Sequence, residues 1–234
     1  MSIVRPKSAY FRGFVASLPF TIMASPFGLL FGVVATEAGL NLLQVMGFTV
    51  VVIAGAAQFT AVQLMVDGAP TLVVLISALA VNLRMMMYSA ALQPHLGAAP
   101  LWQRVTAAYT MFDQTYALAQ ANHDAAPEAS VADKAAFYLG AATPLVPVWI
   151  LSTWLGAVLG AQIPEAWALD FAMPIMFLAM IAPALRSLAH VAAAVTAVSL
   201  ALIFAFLPFN LGLMVAALPA MAVGAELERR GYGR

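Results

Sequence analysis

The 234-residue chain has no cysteine, which excludes a disulfide framework, a thiolate nucleophile and a zinc–thiolate site. Charge is almost as scarce. Only 9% of residues are charged, against about 25% in soluble domains, so an ordinary soluble fold is excluded. Ten basic and ten acidic residues cancel, which leaves no basic surface for nucleic acid. Enzyme signatures are missing as well: HExxH, GxSxG, a Walker loop and GxGxxG after a strand are all absent. The three histidines, His95, His123 and His190, lie near expected helix ends in no ligand spacing and read as solvated or interfacial. No enzyme activity, metal or cofactor is expected.

What is there is apolar sequence, 64% of the chain. A membrane span needs about 20 mostly apolar residues. Runs of that kind are Phe14–Thr36, Leu42–Val66, Thr71–Leu92, Ala135–Ala161, Leu169–Leu188, Val191–Leu207 and Leu211–Ala225. The basic opening "MSIVRPKSAYFRGFV" resembles the start of a signal peptide. The run after it is too long, and it lacks a clear cleavage site, so it reads as a retained first helix.

The segment "LWQRVTAAYTMFDQTYALAQAN", residues 101–122, decides the topology. At 100° per residue Gln103, Thr106, Thr110, Asp113, Gln114 and Gln120 share one stripe roughly 120° wide. An interfacial helix usually carries Lys and Arg on its polar face, and this stripe has neither. It therefore reads as an eighth span with its stripe turned into the bundle. Eight spans put both basic ends (Arg5, Lys7, Arg12; Arg229, Arg230, Arg234) on the cytoplasmic side, in keeping with the positive-inside rule. The expected fold is an all-α polytopic membrane protein over residues 1–234, one bundle of about eight helices, several interrupted by proline or glycine. One element could still be re-entrant.

Interruptions are expected at Pro19, Pro26 and Gly28 in the first span, at Gly55 and Gln58 in the second, and at Pro144 and Pro147 in the fifth. Broken helices in lipid are tolerated where protein or a water-filled cavity receives the freed backbone groups, and transporters aim such ends at substrates. Gly28-x-x-x-Gly32 and Gly156-x-x-x-Gly160 have the spacing for close helix packing, internal or against a partner.

A short list of polar groups remains at membrane depth: Asn82 and Arg84, Gln58 and Gln63, Asp113 and Gln114. Arg84 cannot lose its proton, so it must find a partner, reach water or serve a purpose. It lies about 12 Å along the axis from Leu92, near enough to an end to snorkel. Asp113 is the carboxylate nearest the middle of any span, and a buried carboxylate either protonates or pairs. Arg84 is its obvious partner. A static pair would be structural; one that opens when substrate arrives would couple substrate to protons.

The stretches "FGLLFGVVATEAG" (27–39), "AGAAQFTAVQLMVDGA" (54–69), "NLRMMMYSAALQP" (82–94) and "FDQTYAL" (112–118), taken in order, resemble successive motifs of the AzlC family. These are the large subunits of bacterial branched-chain amino acid exporters. The resemblance implies a multi-pass protein of the cytoplasmic membrane that exports valine, leucine, isoleucine and similar amino acids at the expense of a proton gradient. It also implies a small, separately encoded membrane partner of the AzlD type. Family members often read Asp-Glu where this chain has Asp113-Gln114, so one potential acid is missing.

A zwitterionic substrate would place its carboxylate near Arg84, or at a half-helix N-terminus around Pro26 and Gly28 or around Gly55. Its ammonium would meet Asp113, Gln58 or freed carbonyls, with Asn82 and Gln114 alongside, and Asp113 would carry the proton. The competing readings are a non-transporting membrane scaffold, an intramembrane enzyme lacking its constellation, and a channel, which would need a ring of like groups.

Overall fold

The structure is a computed structural model that describes residues 6–160, 185, 187–207 and 211–232. The span expected at Leu169–Leu188 lies almost wholly outside the described residues. Every regular element among the described residues is helical: α1 (Pro6–Glu37), α2 (Leu42–Val51), α3 (Gly55–Val66), α4 (Thr71–Leu96), α5 (Leu101–Tyr109), α6 (Asp113–Ala125), α7 (Val131–Gly160), α8 (Leu188–Ile203) and α9 (Leu211–Leu227), with a wound turn at Glu228–Tyr232. They form two compact units, Met1–Val62 with Ala78–Pro164, and Gln63–Ser77 with Glu165–Arg234.

In the first unit α1 and α7 lie side by side and run in the same direction. Gly13 rests on Phe137 and Ala141, Gly28 on Trp149 and Ser152, Gly32 on Thr153 and Ala157, so the numbering rises together along both helices. The contacts are reciprocal. Gly140 rests on the carbonyl of Tyr10, three residues before Gly13, and Gly156 on that of Leu29, three before Gly32. A Cβ at Gly13, Gly32, Gly140 or Gly156 would collide with backbone of the other helix. In lipid there is no hydrophobic force between helices, so this close backbone approach is what holds the pair. Both GxxxG motifs are thereby used inside the chain.

Neither helix is broken at its prolines. Pro19 and Pro26 lie inside the 32-residue α1, and Pro144 and Pro147 inside the 30-residue α7. The hydroxyls of Ser17, Thr21 and Ser25 donate to the carbonyls of Phe14, Leu18 and Thr21, and Thr143 to that of Leu139, so polar groups cluster where proline removes ladder bonds. The interruptions expected in the first and fifth spans are therefore corrected to continuous helices.

The second expected span, Leu42–Val66, is two half-helices. Asn41 starts α2 with a capping box: its side chain accepts from the Gln44 amide at 3.0 Å, and its own amide donates to Gln44 Oε1 at 2.8 Å. The β-branched run Val50–Ile53 disfavours continuation, and the chain opens before restarting at Gly55. Phe48, before the opening, and Phe59, after it, both pack edge-on against Phe31, at 5.8 and 5.5 Å. Gly55 sits at Trp149, level with Gly28, whereas Phe59 has moved on to Phe31. The half-helix α3 thus heads back toward the end of the unit from which α2 came.

The segment expected to be an eighth span behaves the same way. Arg84 meets Asp113, Tyr88 stacks on Tyr116, and the His95 ring lies tilted against that of His123. Sequence separations of 29, 28 and 28 mean that α6 runs beside α4 in the same direction. The chain therefore leaves α4 at Leu96, descends through α5, turns at Thr110–Phe112 and climbs back along α4 through α6. The stripe on residues 101–122 does face the protein, but on a re-entrant hairpin and not on a through-going span.

Among the described residues three helices, Ser8–Glu37, Thr71–Leu96 and Val131–Gly160, are long and apolar enough to cross a membrane. Along the chain the two hairpins alternate with these long helices. We call the end where α1 and α7 begin the near end and the other the far end. Hairpin α2–α3 enters from the far end and hairpin α5–α6 from the near end.

In the second unit α8 and α9 are antiparallel: Gly212 lies against Phe204, and Gly224 near Ala193 and Ala189. Ser187 caps α8 by accepting from the His190 amide at 3.2 Å. Arg229 and Arg230 both bind Glu226 at the end of α9.

Candidate functional site

The two hairpin tips meet in the first unit. The hydroxyl of Tyr109, last residue of α5, donates to the carbonyl of Val50 at the end of α2, at 2.6 Å. An opened helix end is thus received by a side chain of the opposing hairpin, as backbone within a membrane requires. Trp149 supports the far-end tip. Its indole nitrogen donates to Thr49 at 2.9 Å, and Thr49 in turn lies 3.4 Å from Thr153, all buried. A Cβ at Gly55 would sit 2.9 Å from the indole ring, so glycine lets the start of α3 rest on it.

Tyr138 supports the near-end tip. Its hydroxyl, fully buried, lies 2.9 Å from the carbonyl of Ala107, 3.3 Å from that of Thr110 and 3.3 Å from the hydroxyl of Thr115. Thr115 also accepts from the Phe112 amide at 2.9 Å, closing the start of α6. Neither proline nor glycine marks this turn. Hydroxyls substitute for the missing helical bonds, which is why composition gave no sign of it.

Asp113 is the first residue of α6, where the helix dipole favours a carboxylate. Ten residues, about 15 Å, separate it from His123 at the near end, which puts it close to the middle of a bilayer core about 30 Å thick. Arg84 Nη1 reaches Asp113 Oδ2 at 3.1 Å. The side chains are 31% and 40% exposed, so the protein encloses the pair only in part. The guanidinium is engaged by the acid and does not snorkel to an end.

The contact is single, not the two-pronged fork that arginine and carboxylate can form. Arg84 Nε and Asp113 Oδ1 are both buried without a hydrogen bond. The same is true of Asn82 Oδ1 and of both polar atoms of Gln58, whose side chain is wholly buried one turn past the far-end tip. Four expected site residues thus hold unused hydrogen-bonding capacity away from solvent. Buried polar groups are normally satisfied, so each of these atoms is open to a ligand or a water.

The structure brings together Arg84, Asp113 and the neighbouring Gln114. Gln58 and Gly55 belong to the other hairpin, and no hydrogen bond links Gln58 to the pair. Pro26 and Gly28 lie mid-helix in α1 against α7, so no half-helix end exists there. Sequence reasoning missed Tyr109, Thr115, Tyr138 and Trp149, whose polar tips on apolar bodies were the available sign.

Comparison with known proteins bears on this arrangement. Residues 19–163 match the family described as AzlC protein. The chain is 28% identical over 229 residues to an uncharacterized membrane protein of Archaeoglobus fulgidus (strain ATCC 49558), covering 91% of this chain and 93% of that one. It is 25% identical over 192 residues to the inner membrane protein YgaZ of Escherichia coli (strain K12), covering 75% and 74%. No solved structure matches. With the match covering more than half of its residues, including both hairpins, the chain belongs to the AzlC family, a transport-associated family of membrane proteins.

Proposed function

We propose that the protein is the permease subunit of a secondary transporter that exports branched-chain or related hydrophobic amino acids across the cytoplasmic membrane, coupled to protons at Asp113. The observation that carries this reading is the half-satisfied Arg84–Asp113 pair at the tip of a re-entrant hairpin. A zwitterion offers a carboxylate for the open edge of the guanidinium and an ammonium for the open oxygen of the carboxylate. Protonating Asp113 removes the charge that holds the ammonium, so the site carries either substrate or a proton, the exclusion that export driven by an inward proton gradient requires. One acid serves both roles, consistent with Gln at position 114.

Gln58 and Asn82 supply neutral hydrogen bonds, and the start of α3 at Gly55 offers amides and a dipole to an anion. The tips, joined through Tyr109 and Val50, separate the two ends of the unit, and their parting would give alternating access. In this reading the basic N-terminal end faces the cytoplasm, the basic C-terminal end shares that side, and a small AzlD-type subunit completes the transporter.

The test is L-valine transport in proteoliposomes. Asp113→Asn keeps the shape and a hydrogen bond to Arg84 but cannot release a proton. Its proton-driven valine flux is expected to fall about 100-fold, within the range general acid–base groups contribute. Unchanged gradient-driven flux in this variant rules out proton coupling at Asp113.

A further inference from the structure

Three side-chain pairs join α4 to α6, and every one includes titratable groups. From mid-depth toward the near end they are Arg84 with Asp113, Tyr88 stacked on Tyr116 with centroids 4.1 Å apart and planes 8° apart, and His95 on His123 with centroids 4.2 Å apart and planes 33° apart. The surrounding cluster is apolar, built from Leu92, Leu96, Ala119 and Ala135 among others, so apolar residues at these positions would have packed as well. Tyr88 is electrostatically coupled to both Asp113 and Arg84, which connects the upper pairs.

The last pair corrects an expectation. His123 is not solvated: it is 1% exposed, and neither ring nitrogen has a hydrogen bond among the described residues. Whichever tautomer it adopts, one buried nitrogen carries an unpaired hydrogen, and each such group costs about 1–3 kcal/mol. The charged and titratable groups acting on it are His95 on α4, Lys134 on α7 and Asp124 next to it on α6. Lys134, itself buried, donates to the carbonyl of Pro127 at 2.9 Å, so its charge is held nearby.

We propose that the His95–His123 pair is the relay through which Asp113 exchanges protons with water at the near end. The inference rests on the reading of Asp113 as the coupling acid. An imidazole suits the task because it accepts a proton at one nitrogen and releases one from the other, ending as its alternate tautomer. Water admitted along the α4–α6 seam carries the proton between the histidines, the tyrosine hydroxyls and the carboxylate. Only N–H and O–H bonds form and break, and one proton moves for each one released.

The experiment uses proteoliposomes containing a pH-reporting dye, with L-valine as the probe. In His123→Phe, which keeps an aromatic ring against His95, valine-evoked proton movement is expected to fall about tenfold or more. Exchange of labelled valine without a pH gradient is expected to stay within about threefold of wild type, since no net proton moves. Proton movement at the wild-type rate overturns the relay alone. Equal loss of both activities also overturns it, because His123 would then be merely structural. A wild type that exchanges valine without moving protons overturns proton coupling itself and the relay with it.

A second measurement is independent of transport. With three histidines in the chain, deuterium exchange at the imidazole C2 position can be resolved for each by mass spectrometry. His123 is expected to exchange at a rate within about tenfold of exposed His190, because the relay needs water to reach it. A His123 that does not exchange while His190 does overturns the proposal.

Discussion

Arg84→Ala is expected to lower L-valine flux about 100-fold or more, the scale on which removing one positioned charge-stabilising donor is felt. Arg84→Lys should lose less. A lysine keeps the charge near Asp113 but offers a point charge where arginine presents a planar fork, so it engages either the acid or a substrate carboxylate and not both. The discriminating variant is the double substitution Arg84→Ala with Asp113→Ala. Removing one member leaves a charge without its partner at mid-depth, whereas removing both relieves that penalty. If the pair only holds α4 to α6, the double variant recovers both folding and flux. If the pair also binds substrate, the double variant recovers thermal stability while valine flux stays lost, measured on the same purified sample.

Tyr138→Phe is expected to cost more stability than any other single-atom deletion in the first unit. The hydroxyl stands within hydrogen-bond distance of Ala107 and Thr110 carbonyls and of Thr115, on both legs of hairpin α5–α6. Removing it strands the Ala107 carbonyl, the nearer of the two, in a fully buried setting, at about 1–3 kcal/mol for an unsatisfied group; the Thr110 carbonyl keeps the Thr115 hydroxyl. Thermal unfolding in detergent should register a drop of about 1–3 kcal/mol on that basis. The hairpin should also loosen before the rest, seen as faster amide exchange at Thr110–Ala119 than at the glycine-packed α1 and α7. Wild-type stability and unchanged exchange would mean that the turn is held by something other than Tyr138.

Much of this was legible in the sequence, and the exceptions share a cause. Hydropathy located the apolar segments, and the all-helical class followed from them. The pairing of Arg84 with Asp113 followed from two charges that each needed a partner at similar depth. What hydropathy measures is the length of an apolar run, not its path. Leu42–Val66 is as long as a span, yet it is folded into α2 and α3, each reaching about halfway. Its opening near Gly55 was visible; the reversal there was not, because reversal depends on Phe31 and Trp149, distant in the chain. The polar stripe of residues 101–122 pointed inward as expected, but counting it as a crossing followed from charge placement, a bias that a hairpin leaves equally satisfied. The prolines misled in the other direction. Pro19, Pro26, Pro144 and Pro147 sit inside helices held together by close backbone contact through glycine, and that packing keeps the helices continuous. His123 was misread for a related reason. Its place near a helix end suggested water, but that end is packed against α4 and α7.

The central claim is that residues 101–125 enter and leave on one side. A chain without cysteine allows a clean test, since any introduced thiol is the single one present. Ala98, between α4 and α5, and Glu128, between α6 and α7, are both exposed. Single cysteines placed at each can be probed with a membrane-impermeant thiol reagent in vesicles of known orientation. Ala98→Cys and Glu128→Cys are expected to label from the same side; labelling from opposite sides would make the segment a crossing helix and contradict the hairpin.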